Sequence, residues 1–197
     1  MSVAAITETG QYLTFELENE VFALDISKVR EVLDYTKITR VPQTPDFMLG
    51  VINLRGSAVP VVDMRLKFGM TKTEKTVNTC IIIVEVELDG EAAVLGALAD
   101  SVEEVIELDP ARIEPPPRIG MRLNTRFIKG MGKRDDRFII ILDIDKVFSA
   151  EELAMAQEVG EGMPEQESAA VRQEQVKERD MSPDQGELHT VYLKPGE

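Results

Sequence analysis

The stretch GVINLRGSAVPVVD, residues 50–63, sets two apolar runs on either side of the dipeptide Arg55-Gly56. Apolar runs bounded by a glycine predict two buried β-strands joined by a tight turn, with Gly56 supplying the permissive backbone. Asn-Gly or Asp-Gly would make such a hairpin equally well. Arg55 is therefore a cation that folding does not require. Pro60, in the second run, predicts an edge strand or a bulge.

Short strand patterns with turn signals recur on both sides of this hairpin. Residues 11–17 alternate in hydrophobicity and are followed by a turn and a second strand, and residues 79–108 hold three strands in succession. Residues 125–148 predict a hairpin turned at 133–136, with a short closing helix. Strands at roughly 8–12-residue spacing are typical of a sandwich or barrel.

Three helical segments are predicted between these strands. In DISKVREVLD, the residues Ile26, Val29 and Leu33 recur at helical spacing after a candidate N-cap, which predicts one short helix over 25–34. A helical turn is expected after Pro45, and another in MRLKFG. The run of three prolines at 115–117 excludes a helix or a central strand, so this segment is expected to run extended over the surface.

The domain organisation follows from these patterns and from the charge distribution. We expect a mainly β domain over 11–150, made of two small barrels near 11–65 and 79–143 that share one core, because each alone would be marginal. A flexible N-terminus of ten residues precedes it. Residues 151–197 hold twelve acidic and four basic residues and few large apolar ones, and predict an acidic, largely disordered tail.

Composition narrows the classes of partner and the compartment. The net charge is −14, the opposite of what a phosphate backbone attracts, so nucleic-acid binding is not expected. A single cysteine excludes an intrachain disulfide and favours the reducing cytoplasm. The sequence shows no signal-peptide pattern and no run of 18 apolar residues, so membrane insertion is not expected.

No set of side chains predicts catalysis. His189 lies in the tail, and Cys80 lies in an apolar run where a thiol behaves as a small hydrophobe. The segment 130–136, GMGKRDD, lacks the glycine and the hydroxyl residue of a phosphate loop. Asp143 and Asp145 are better explained by a helix cap than by a metal site. We therefore expect a binding module without cofactor or metal. A small-molecule-binding regulatory module and a phosphatase are the alternatives.

The central motifs resemble the CheW family of chemotaxis coupling proteins. The resemblance covers about residues 10–150 and rests on FALDISKVREVL, RVPQTPDFMLGVINLRGSAVPVVDMRLKFG, LADSVEEVIEL and the closing FIKGMGK…DRFIIILDIDKVF. It implies two intertwined, five-stranded, SH3-like barrels. It also implies a non-enzymatic adaptor that joins methyl-accepting chemoreceptors to the histidine kinase CheA, in flagellar chemotaxis or in another chemosensory pathway, at receptor arrays on the membrane.

The resemblance also implies four partner-binding residues: Val29, Glu31, Gly50 and Arg55. Two of them have ordinary structural explanations, since Val29 has the spacing of a core residue and Arg55 that of a solvated turn cation. Because Glu31 and Arg55 are each singular charges beside apolar segments, we add the hypothesis that they pair and that Glu31 fixes the direction of the guanidinium.

Overall fold

A computed structural model of the chain describes residues 6–116 and 125–161. Within these ranges the fold is mainly β, with eleven strands and three α-helices. The strands are β1 Gly10–Leu17, β2 Glu20–Asp25, β3 Val29–Asp34, β4 Met48–Leu54, β5 Ser57–Asp63, β6 Cys80–Leu88, β7 Glu91–Ala99, β8 Ser101–Leu108, β9 Ile113–Glu114, β10 Ile128–Arg134 and β11 Arg137–Leu142. The α-helices are α1 Met64–Lys67, α2 Ile144–Val147 and α3 Ala150–Glu161.

The strands form two sheets, which we call the first and second barrel. The first barrel has the order β8-β1-β2-β11-β10-β9, and the second has the order β3-β6-β7-β5-β4. Each contains one parallel pair, β2 with β11 and β5 with β7. The predicted mainly β fold of two intertwined barrels is confirmed, with the two-residue β9 as a sixth strand of the first.

The division of the chain between the barrels differs from the expected sets 11–65 and 79–143. The second barrel is built from the continuous segment 29–99, whereas the first combines residues 10–25 with residues 101–142. The parallel pairing of β2 with β11 is the reason, because it joins the beginning of the domain to its end. The second barrel is thus inserted in the sequence of the first.

The buried side chains form three clusters, one of which holds the two barrels together. A shared core lies between them and takes residues from both, including Phe15 and Phe22 of the first and Ile82 and Val84 of the second. Each barrel also has an interior of its own. Strands β1, β2 and β6 therefore bury side chains on both faces, which explains the continuous apolar runs VFAL in β2 and CIIIV in β6.

The predicted helix over 25–34 is wrong. Only Ile26–Lys28 form a turn of 3-10 helix, and Val29 begins a strand that pairs with β6. Along β3 the side chains alternate between half-buried and exposed, which is the period of a strand. The apolar spacing that resembled a helix has another cause: Ile26 and Val29 pack against the shared core, while Leu33 packs inside the second barrel.

Pro60 does not mark an edge strand, because β5 lies between β7 and β4. Pro60 faces Val51, whose backbone N–H and C=O both bond to Thr39 instead, at 2.8 Å each. Pairing with β7 begins only at Val61. The missing N–H of the proline therefore leaves no ladder bond unmade. The expected irregularity is present, but it is a bulge in β4 between Met48 and Gly50.

The remaining local predictions have mixed outcomes. The three strands of 79–108, the hairpin turned at 133–136, the helical turn α1 and the closing helix α2 are confirmed. After Pro45 the chain makes one hydrogen-bonded turn, with no helix, and then enters β4. Residues 115–116 have no regular structure; residues 1–5, residue 117 and residues 162–197 lie outside the described residues.

Helix α3 extends the folded part beyond the expected boundary at residue 150. Leu153 and Ala156 are buried in the shared core, and a Cβ on Gly160 would lie 3.1 Å from the carbonyl oxygen of Ala58 in β5. The first eleven residues assigned to the acidic tail are therefore part of the packed domain. Their acidic side chains face outward, except that Glu152 pairs with Lys67 of α1 at 2.6 Å.

The thiol of Cys80 offers a test of this packing. Cys80 is buried in the shared core, and desolvation raises its pKa to about 11. Because the thiolate is the reactive form, we expect the native protein at pH 8 to resist alkylation by iodoacetamide, and the protein in denaturant to react at the rate of a free thiol. Mass spectrometry of quenched samples measures both rates. Equal rates in the two conditions would contradict the burial of Cys80.

Candidate partner-binding site

Strand β3 and the turn between β4 and β5 bring Glu31 and Arg55 together at the surface. The guanidinium donates two parallel hydrogen bonds to the carboxylate, from Nη1 to Oε1 at 2.7 Å and from Nη2 to Oε2 at 2.8 Å. The Arg55 side chain is 74% exposed and that of Glu31 is 26% exposed. The hypothesis that these two residues pair is confirmed.

The backbone of the turn shows why Arg55 is an unusual choice. Arg55 has φ +50° and Gly56 has φ +91°, so both central residues of this two-residue turn lie in the left-handed region. Such turns favour Asn-Gly, because an arginine Cβ is strained at positive φ. The side chain of Asn53 supports the turn by accepting a hydrogen bond from the Gly56 N–H at 2.8 Å. The chain thus keeps a strained arginine where a better turn residue exists, which points to a role outside folding.

The ion pair shifts the pKa of each side chain in the direction that favours its charged form. The hydrogen bonds from Arg55 lower the pKa of Glu31, and those same bonds raise the pKa of Arg55. Since the folded-state pKa of Glu31 is depressed, the pair is present above the ordinary pKa of a glutamate and is lost as the pH falls through the lowered value. An exposed pair contributes little to stability, so its main effect is on the direction of the guanidinium.

Gly50 lies in β4, buried beneath the segment that follows β3. Its φ is +141°, and a Cβ built on it would lie 2.0 Å from the carbonyl oxygen of Thr39. Thr39 makes an isolated bridge to Val51, which ties the chain after β3 to β4. Gly50 therefore allows the second barrel to close. It offers no side chain to a partner, so any effect it has on binding is indirect.

Val29 is half-buried and packs against the shared core, opposite Val84 of β6. A bulge between Val29 and Glu31 interrupts the pairing of β3 with β6. Val29 therefore anchors the beginning of β3, two residues before the carboxylate that holds Arg55. The structure thus places Val29 and Glu31 on one strand and Gly50 and Arg55 on one hairpin. Of these four residues, Glu31 and Arg55 are in direct contact.

Sequence reasoning missed three neighbours of this site. Arg30 forms a second exposed ion pair, with Glu85 of β6, and Val32 on the same strand is 41% exposed. Thr39 closes the barrel over Gly50. Arg30 and Val32 lacked a sequence signal because a helix was expected there. Thr39 lacked one because it is eleven residues away from Gly50 in the sequence. Asn53 had a local signal, since an asparagine three residues before a turn glycine is a turn motif.

The described residues hold no group of three or more His, Cys, Asp or Glu side chains that could bind a metal ion. Among the same residues, no helix is long and apolar enough to cross a membrane.

Fold and site together define a class: a mainly β module of two intertwined small barrels that presents an oriented cation on a surface hairpin. The sequence matches the family described as the CheW-like domain over residues 11–152. It is 37% identical to the chemotaxis protein CheW of Klebsiella aerogenes over 157 residues, which cover 80% of this chain and 92% of that protein. The chain belongs to the CheW family.

Two further relatives agree. The chemotaxis protein CheW of Bacillus subtilis is 30% identical over 151 residues, which cover 76% of this chain and 94% of that protein. The crystal structure of the scaffolding protein TtCheW from Thermoanaerobacter tengcongensis superposes with a TM-score of 0.64 at 39% identity, covering 73% of this chain and 94% of that one.

Replacing Gly50 by alanine tests the closure of the second barrel. We expect Gly50→Ala to lower the free energy of unfolding by about 2 kcal/mol or more, because the new Cβ meets backbone and the residue is held at positive φ. Gly90→Ala is the matched control: Gly90 also has positive φ, +82°, but no atom lies within 4 Å of its Cβ position. Urea unfolding followed by circular dichroism measures both. Equal losses would show that the contact with Thr39 is unimportant.

Proposed function

We propose that this chain is a non-enzymatic adaptor that couples methyl-accepting chemoreceptors to the histidine kinase CheA in chemosensory signalling. Membership of the CheW family and the name of the scaffolding relative support an adaptor. The adaptor works beneath the membrane, at the cytoplasmic signalling tips of the receptors, and binds the regulatory domain of the kinase.

The observation that carries the proposal is the strained, exposed and oriented Arg55. The guanidinium donates two of its five N–H groups to Glu31, and the other three lie at the surface. A planar cation held in one direction recognises carboxylate or carbonyl oxygens of a partner at a lower entropic cost than a freely rotating one. A turn built only for folding would carry Asn or Gly at this position.

The other three residues act by placing this group. Glu31 holds the guanidinium, and Val29 anchors the strand that carries Glu31 to the shared core. Gly50 closes the barrel whose β4 leads into the Arg55 turn. In this proposal the partner-binding site consists of Val29, Glu31, Gly50 and Arg55, with Arg55 as the contacting group.

Strand β3 supplies a second element of the interface. It forms one end of its sheet, so its outer backbone groups are not used by a neighbouring strand of that sheet, and Val32 is exposed on it. An exposed strand edge with an apolar side chain is suited to docking another β domain. We propose that the second barrel meets the regulatory domain of the kinase along this edge.

Arg55→Asn separates the two roles of the turn. We expect a thermal midpoint equal to or above that of the wild type, because asparagine relieves the strain at positive φ, and a loss of partner binding, because the guanidinium is gone. Differential scanning calorimetry measures the first effect. Pulldown on the kinase regulatory domain and, separately, on receptor signalling tips measures the second and assigns the site to one partner or to both.

Arg134→Asn is the matched control, because Arg134 forms an exposed ion pair with Glu104 in the first barrel, outside β3 and the Arg55 turn, and has no positive φ. We expect it to retain both partners. The proposal fails if wild-type protein retains neither partner, or if Arg55→Asn binds both as tightly as wild type.

A double-mutant cycle tests the placing role of Glu31. If Glu31 acts through Arg55, Glu31→Gln and Arg55→Asn together weaken binding no more than Arg55→Asn alone. Isothermal titration with the partner retained in the pulldown gives the four affinities, of the wild type, the two single variants and the double variant. Additive losses would show that Glu31 contacts the partner by itself.

A further inference from the structure

A cavity of about 130 Å³ lies at one end of the second barrel, where β3, β5 and β7 end and β4 and β6 begin. This is the end away from the Arg55-Gly56 turn. Its apolar floor is formed by Ile38, Leu49 and Leu98, which also pack against the barrel interior. The mouth of a small β-barrel is a common place for a ligand, because the strand ends leave a concave surface there.

Three cations converge on the rim of this cavity: Arg40, Lys72 and Lys75. They come from two separate loops and are exposed. None of them forms an ion pair with another described residue. In a chain of net charge −14, three neighbouring cations without acidic partners form a local positive site.

The loop that carries two of these cations is held in place from below. Asp63 is fully buried and accepts hydrogen bonds from Thr73, from its backbone N–H at 3.0 Å and from its hydroxyl at 2.8 Å. The same carboxylate accepts the N–H of Arg65 at 3.0 Å and so caps α1. The acidic group in the cavity wall is therefore occupied by donors, and the loop over it has a fixed position.

An aromatic ring positions Lys75, one of the two cations on this loop. The Nζ of Lys75 lies 4.2 Å from the centroid of the Tyr35 ring, within the range of a cation–π contact. The backbone N–H of Tyr35 is bonded to the carbonyl oxygen of Thr79 at 3.2 Å, which anchors the ring at the rim. The Tyr35 hydroxyl makes no hydrogen bond to another described residue, so it is an additional donor for a ligand.

We infer that this cavity binds a small oxyanion. The ligand is either free phosphate or a carboxylate group carried by a short apolar chain. The cations and the tyrosine hydroxyl contact the oxygen atoms, and the apolar floor contacts the body. A water molecule occupies about 30 Å³ of liquid, so the cavity has room for about four waters. That volume accommodates phosphate or a carboxylate of a few carbon atoms. The site is separate from the Arg55 turn and does not depend on the proposed adaptor function.

Titration of the full-length protein, followed by amide chemical shifts, tests the site with three probes. Inorganic phosphate and butyrate are each added at constant ionic strength, with sodium chloride as the blank. We expect saturable shifts at Tyr35, Thr73 and Thr79 with at least one of the two anions, and none at Gly56. Saturation by phosphate alone identifies the oxyanion as the recognised group, and tighter binding of butyrate identifies the apolar floor as a contributor.

The variant Arg40→Gln/Lys72→Gln removes two rim cations, both exposed, so its fold is expected to be retained and is checked by circular dichroism. Its affinity for the anion should fall at least about tenfold. Lys133→Gln, an exposed lysine in the β10–β11 hairpin, is the matched control and should bind like wild type. The proposal is overturned if neither anion saturates, if sodium chloride produces the same shifts, or if the double variant binds as tightly as wild type.

Discussion

Burial of three strands on both faces is the constraint on which the rest of the structure depends. Strands β1, β2 and β6 each send alternate side chains into a barrel interior and into the shared core. Neither barrel can be exposed to water on its inner side without uncovering residues such as Phe15 and Ile82, which are fully buried. An ion pair at the place where the chain passes from β7 to β8, between Arg65 and Asp100, adds a polar link between the barrels.

Pairing with the buried strand β6 fixes the position of the surface strand β3. Because β3 pairs along β6, the carboxylate of Glu31 stands on a strand fixed by the core, and the β4–β5 hairpin delivers the guanidinium to it from the other side of the same barrel. An exposed ion pair of small energetic value thereby gains a defined geometry. The opposite end of the barrel uses the same principle with Asp63, whose buried carboxylate fixes a loop instead of a side chain.

The sequence was most informative where a pattern was local. The hairpin over 50–63, the strands of 79–108 and the helical turn α1 followed from alternation, turn glycines and short spacing, and the motif of the hairpin led to the family. The helix expected over 25–34 failed because pairing with β6 outweighed a coincidental spacing of Ile26, Val29 and Leu33. The exchange of strands between barrels, the contact of Thr39 with Gly50, and the basic rim assembled from residues 40, 72 and 75 depend on long-range pairing that no local pattern encodes.

The insertion of the second barrel within the first has a consequence for synthesis on the ribosome. The segment 29–99 contains every strand of the second barrel, so that barrel has its complete set of hydrogen-bonding partners before translation is finished. Strands β1 and β2 are made first, yet β2 receives its parallel neighbour only when β11 emerges, more than a hundred residues later. At synthesis rates of about 5–20 residues per second this delay lasts several seconds or longer. Until then Val21 and Ala23, whose side chains lie in the interior of the first barrel, lack Ile139 and Ile141 as neighbours, so the hairpin of β1 and β2 needs protection from aggregation for longer than the second barrel does.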